Sequence, residues 1–125
     1  GVEAAVGGIL DCNGLPVLLG GEHTVTYGAL AALKKRIGTF GIIQFDAHAD
    51  LRDSYEGSPW SHACVMRRAV KDLGLPLAQF GVRAMCLDEV EARRNTASHS
   101  MMRHPLPAAA FPNHCSLRIF PARCI

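Results

Sequence analysis

Apolar and polar positions come in blocks over the first ninety-odd residues, and each block has the length of one secondary-structure element. Val2 to Asp11 reads as a short helix closed by the turn pair Asn13-Gly14. Leu15 to Leu19 is a continuous apolar run stopped by Gly20-Gly21, the pattern of a strand covered on both faces in a parallel sheet. In HTVTYGALAALKKRIG, Leu30, Leu33 and Ile37 share one helical face. Thr24 or Thr26 can cap it, and basic residues followed by Gly38 close it. TFGIIQF, residues 39 to 45, supplies a second buried strand, so residues 15 to 45 have the order and length of a βαβ unit.

The alternation continues past a polar loop. SHACVMRRAVKDLG predicts a helix with Ser61 as cap, Val65, Ala69 and Leu73 inward, and Gly74 as terminator. LAQFGVRAM predicts a third strand. LDEVEARR predicts a further helix, acidic at its start and basic at its end as the helix dipole favours. From Asn95 onward the periodicity is lost, and the stretch to Ile125 reads as an aperiodic tail, either disordered or translated out of frame. The expectation is an α/β fold with a parallel sheet in residues 1–94, followed by a tail over 95–125.

Charge reinforces that boundary. Residues 1 to 91 hold all 11 acidic residues against 8 Lys and Arg, whereas residues 92 to 125 hold 5 Arg and no acid. A net charge of +2 with no basic patch excludes nucleic acid as an evident partner. The apolar runs stop short of the ~20 residues a membrane span needs. Five cysteines with no CxxC pair form neither a complete disulfide framework nor a zinc ribbon, which fits reduced thiols in a cytoplasmic chain.

The candidate chemistry lies where the predicted strands end. The first ends in GGEH, bringing Glu22 and His23 to the rim, and the second runs into FDAHADLRDSY. If the backbone stays extended past Phe45, Asp46, His48 and Asp50 point to one side. Carboxylates brought that close require a neutralising cation or a retained proton, and a metal is the simpler answer. Two oxygens and two imidazole nitrogens with no thiolate suit a hard divalent ion such as Mn²⁺, with Co²⁺, Ni²⁺ or Zn²⁺ as substitutes. His62, alone, reads equally as a surface histidine in the capping region of its helix.

LLGGEHTVTYG, FDAHADLRDSYEG and SHACVMRR, in that order and spacing, resemble three consecutive blocks of the ureohydrolase family, which contains arginases and agmatinases. The wording is most similar to the agmatinases, and the likeness covers about residues 15 to 94. It implies a three-layer α/β/α fold with a parallel sheet, truncated here, and a binuclear manganese centre. It also implies His23 and Asp50 on one metal, His48 on the other, Asp46 bridging, and His62 shuttling a proton or contacting substrate.

The implied reaction is hydrolysis of a guanidino compound, agmatine in the first place, by metal-activated hydroxide to urea and an amine, putrescine, as in polyamine biosynthesis. It also implies a cytoplasmic protein, a small-molecule substrate, and a homo-oligomer for a full-length member. A later D-x-D pair that completes the family's metal centre has no counterpart, because no Asp or Glu follows Glu91. This polypeptide is therefore expected to have little or no activity as it stands. The alternatives are a non-catalytic scaffold or binding module of the same fold, a ureohydrolase acting on another guanidino substrate, and an unrelated metal-dependent α/β hydrolase of deacetylase type. GGEH and SHACVMRR argue against the last.

Overall fold

A computed structural model describes residues 1–95 together with the short strands at 99–100 and 118–120. Helices α1 (Val2–Asp11) and α2 (Val25–Ile37) come first, followed by strand β1 (Ile42–Phe45). A 3₁₀ turn (His62–Cys64) then leads into α3 (Val65–Lys71), β2 (Leu77–Phe80) and α4 (Leu87–Asn95). Strands β3 (His99–Ser100) and β4 (Arg118–Phe120) complete the sheet. The sheet order is β3-β2-β1-β4 with every pairing parallel, so the expected α/β class with a parallel sheet is the one found. No helix among the described residues is long and apolar enough to cross a membrane.

The helices follow their apolar spacing. Leu30 and Leu33 of α2 are 1% exposed and meet Ile42, Leu77 and the inner face of α3, where Val65, Met66 and Ala69 are buried. Burying one such leucine is worth about 1.5–3 kcal/mol. Gly28 lets α1 lie close against α2, since a Cβ there would sit 3.1 Å from Val2 Cβ and 3.2 Å from the Glu3 nitrogen. Asn13 takes the left-handed conformation (φ 56°) in the turn after α1, and Gly74 (φ 63°) follows α3. Ser61 caps the 3₁₀ turn, its Oγ accepting the Ala63 N–H at 3.3 Å. Thr24 stands at the start of α2 but makes no capping bond, because its hydroxyl donates to the Glu22 carboxylate instead.

One expected strand does not form. Residues 15–19 form no regular element and belong to no sheet, and Leu15, Val17 and Leu19 are 70, 74 and 93% exposed while Pro16 is buried. Both sides of β1 are occupied, by β2 and β4, so this run is not paired with β1. The βαβ unit expected over residues 15–45 is replaced by β1–α3–β2, a parallel pair in register from Ile42↔Leu77 to Phe45↔Phe80. β3 and β4 fall within the stretch expected to be aperiodic. The rest of that stretch, residues 96–98, 101–117 and 121–125, lies outside the described residues.

Candidate metal centre

The carboxyl end of β1 is where the site begins. Asp46 follows the last strand residue and is held to the end of β2 by its N–H, which donates to the Phe80 carbonyl at 3.1 Å. Gly81 makes that approach possible: its φ is +84°, and a Cβ there would stand 3.3 Å from the Asp46 carbonyl oxygen. The chain then bends rather than staying extended. Asp50 adopts a left-handed conformation (φ 54°), which aspartate tolerates better than most residues.

This bend changes which side chains meet. His23, Asp46 and Asp50 offer ligand atoms that all lie within 4.8 Å of one another. Their side chains are 6, 5 and 8% exposed, whereas that of His48 is 62% exposed. An extended run would have put Asp46, His48 and Asp50 on one side; the bend instead leaves His48 at the rim. There its backbone N–H donates to Asp46 Oδ1 at 2.9 Å and its Nδ1 lies 3.4 Å from the same oxygen. His62 is also on the rim. Its Nδ1 is 3.9 Å from Glu22 Oε1 and 3.4 Å from Ser61 Oγ, and the Tyr55 ring packs edge-on against its imidazole at 5.5 Å.

His23 shows what the cluster is suited to hold. Its Nδ1 lies 3.0 Å from Asp50 Oδ2, yet the two are not aligned as a hydrogen bond, and the buried nitrogen has no hydrogen-bond partner. A buried polar atom left so is costly unless something else satisfies it. An imidazole nitrogen beside two carboxylates, with no thiolate near, is a donor set for a divalent cation of intermediate hardness. The residues present therefore fit a metal ion.

Four polar residues that support this cluster carried no functional expectation. Gln44 and Gln79, each 1% exposed, are register partners on β1 and β2. Gln44 Nε2 donates to Asp50 Oδ2 at 3.0 Å and reaches Asp46 Oδ2 at 3.5 Å. Gln79 Nε2 donates to Gln44 Oε1 and to the Ala49 carbonyl. Their signal was in plain sight: IIQF and LAQF each carry one glutamine at the third position of an otherwise apolar strand. Glu89 of α4 is buried and accepts the Leu51 N–H at 3.1 Å. Asp53 ties the far side of the loop to α3 through Arg68 and Lys71.

The bonds from Lys71 and Arg68 hold the Asp53 carboxyl below the usual aspartate range. A lowered folded-state pKa contributes stability above the unfolded value, about 4, and that contribution is lost as pH falls through the folded one. Asp53→Asn is expected to lower the melting temperature at pH 7 and to bring it close to that of the unsubstituted chain near pH 2. Thermal unfolding followed across that range checks it. An equal deficit at both pH values would show that the charge is not responsible. Cys64 behaves differently: burial pushes its thiol pKa up, so it packs as a small neutral group.

Comparison with known proteins places this geometry in context. A family model described as the arginase family matches residues 1–107. An N(1)-aminopropylagmatine ureohydrolase from Thermococcus kodakarensis is 49% identical over 80 residues, covering 64% of this chain and 26% of that protein. An agmatinase from Pyrococcus horikoshii is 47% identical over 81 residues, covering 65% of this chain and 27% of that protein. Among solved structures, an arginase from Medicago truncatula superposes with a TM-score of 0.73 at 29% identity, covering 79% of this chain and 33% of that one. The chain thus spans about a quarter of the length of the relatives it matches in sequence.

Proposed function

Because the chain belongs to the arginase family, we propose that residues 15–94 form the first half of a ureohydrolase centre, in which manganese ions serve the hydrolysis of a guanidino compound to urea and an amine. The observation that carries this reading is the buried His23 Nδ1, set 3.0 Å from Asp50 Oδ2 without a hydrogen bond. In the assignment proposed, His23 and Asp50 would hold one ion and His48 the other, with Asp46 available to both. Asp46 suits the bridging role because its Oδ1 faces His48 while its Oδ2 faces Gln44, on the Asp50 side.

When bound, such ions supply Lewis acidity, bringing the pKa of water toward neutrality and so providing a nucleophile for a poorly electrophilic guanidinium carbon. The other roles belong to the chain. Asp46 and Asp50 would give the site the negative charge that a cationic guanidinium requires. His62 holds a proton on its imidazole and delivers it to the departing amine nitrogen, with Ser61 and Tyr55 restricting how the ring can turn. Agmatine, giving putrescine, is the substrate favoured. The longer guanidino amine in the name of the Thermococcus relative is its nearest competitor.

No carboxylate follows Glu91. With manganese, this chain alone is expected to bind the ion but to release little or no urea. A chimera in which residues 15–94 replace the matching segment of the Thermococcus relative would supply the later carboxylates that the resemblance implies. That chimera is expected to release urea from agmatine or N(1)-aminopropylagmatine only with divalent metal, and Asp46→Asn within it to lose the activity. A folded, metal-loaded chimera silent on both substrates would sink the enzyme reading. It would favour instead a non-catalytic scaffold of the same fold.

A further inference from the structure

We propose that Gln44 and Gln79 form a serial amide relay that positions the Asp50 and Asp46 carboxylates for cation binding; the proposal rests on the metal-centre reading above. Two glutamines in the middle of adjoining strands are a poor choice for a core, since β1 and β2 are otherwise apolar at their buried positions. Their hydrogen bonds run in one direction. The Ala49 carbonyl can only accept, so the amide nitrogen of Gln79 must face it, at 2.7 Å. The same nitrogen donates to Gln44 Oε1 at 2.5 Å, which turns the Gln44 nitrogen toward Asp50 Oδ2 and Asp46 Oδ2. A backbone carbonyl thus dictates, through two side chains, that an N–H group and not an oxygen faces the carboxylates.

The arrangement leaves Gln79 Oε1 buried without a hydrogen bond. A pair serving the core alone would gain by being apolar, whereas a pair serving the carboxylates has a reason to persist despite that cost. The donor is also neutral. A lysine or arginine at position 44 would orient Asp50 equally well but would cancel the charge a cation needs. An amide fixes the carboxylate and leaves its charge intact, as supporting partners of metal ligands generally do.

Methionine has nearly the length of glutamine without its hydrogen bonds, so Gln44→Met, Gln79→Met and the double variant test the relay in the full 125-residue chain. Manganese affinity is measured by titration calorimetry, and metal-free stability by thermal unfolding. Gln44→Met is expected to weaken manganese binding about 10- to 100-fold. Gln79→Met should weaken it comparably, although Gln79 touches neither carboxylate. The double variant should bind no more weakly than Gln44→Met alone, because the two act in series. Its metal-free melting temperature should fall, since the Ala49 carbonyl and the Asp50 carboxylate both lose their donors.

Affinity unchanged in Gln79→Met, or losses that simply add in the double variant, would overturn the relay while leaving the metal centre standing. Failure of the unsubstituted chain to bind manganese would overturn the metal centre and the relay with it. If Gln44→Met does not fold, Gln79→Met carries the same decision on its own.

Discussion

Asp50→Asn is expected to cost at least about 100-fold in manganese affinity while leaving the metal-free fold as stable as before or more so. The sign of the second effect is the informative part. Asp50 sits at φ 54°, a conformation asparagine accepts as readily as aspartate, so the backbone is not disturbed. Asp50 Oδ2 faces both His23 Nδ1 and the Gln44 amide, so an asparagine that sets its oxygen there keeps the Gln44 bond. The substitution also removes one of two negative charges that share the Gln44 amide.

Thermal unfolding with and without manganese reads both effects. A ligand at 100 times its dissociation constant stabilises by about 2.7 kcal/mol, and a 100-fold loss of affinity removes most of that rise. Asp50→Ala is the contrast, since alanine resists a left-handed backbone and should destabilise the metal-free chain by about 1 kcal/mol as well. Manganese-induced stabilisation that survives Asp50→Asn would show that this carboxylate is not a ligand.

Much of the fold was legible because helices announce themselves locally. The spacing of Leu30 and Leu33, the basic last turn of α2 and the acidic first turn of α4 all lie within a few residues of one another. Strands announce less. Leu15 to Leu19 has the composition of a buried strand, but burial depends on a neighbouring strand, and β1 is flanked by β2 and β4 instead. For the same reason β3 and β4, two and three residues long, leave no periodic trace in the sequence and exist through pairing with β2 and β1.

The candidate site divides along the same line. That His23, Asp46 and Asp50 would converge could be read from residue type and order. That His48 would turn to the rim could not, because it depends on the bend at Ala47, between Asp46 and His48. The supporting shell was harder still. Gln44 and Gln79 acquire meaning only when strand register sets them side by side, and Glu89 lies 38 residues from the amide it accepts.

Glu89→Ala is expected to destabilise the chain by about 2–4 kcal/mol, a large share of the roughly 5–15 kcal/mol typical of a single domain. Glu89 is 4% exposed and satisfies two backbone donors at once: Oε1 accepts the Leu51 N–H at 3.1 Å, and Oε2 the Cys86 N–H at 2.9 Å. The second bond closes the first turn of α4, as a glutamate at the third helical position commonly does. The first reaches back to the residue after Asp50. One side chain therefore joins the start of α4 to the loop that carries the carboxylates, and removing it leaves two donors without acceptors.

Glu89→Gln separates packing from acceptance. It fills the same space but has one acceptor oxygen, so one of the two N–H groups would face an amide N–H; the expected loss is smaller than for alanine but still well above zero. Urea unfolding measures the stability, and hydrogen exchange at the Leu51 and Cys86 amides locates it. Both amides should exchange faster in Glu89→Ala. Manganese affinity should fall as well, because freeing the Leu51 amide loosens the turn at Asp50. Stability and exchange that match the unsubstituted chain would mean that the loop is held in place by its apolar contacts, Ala49 and Leu51 against the core, without the help of α4.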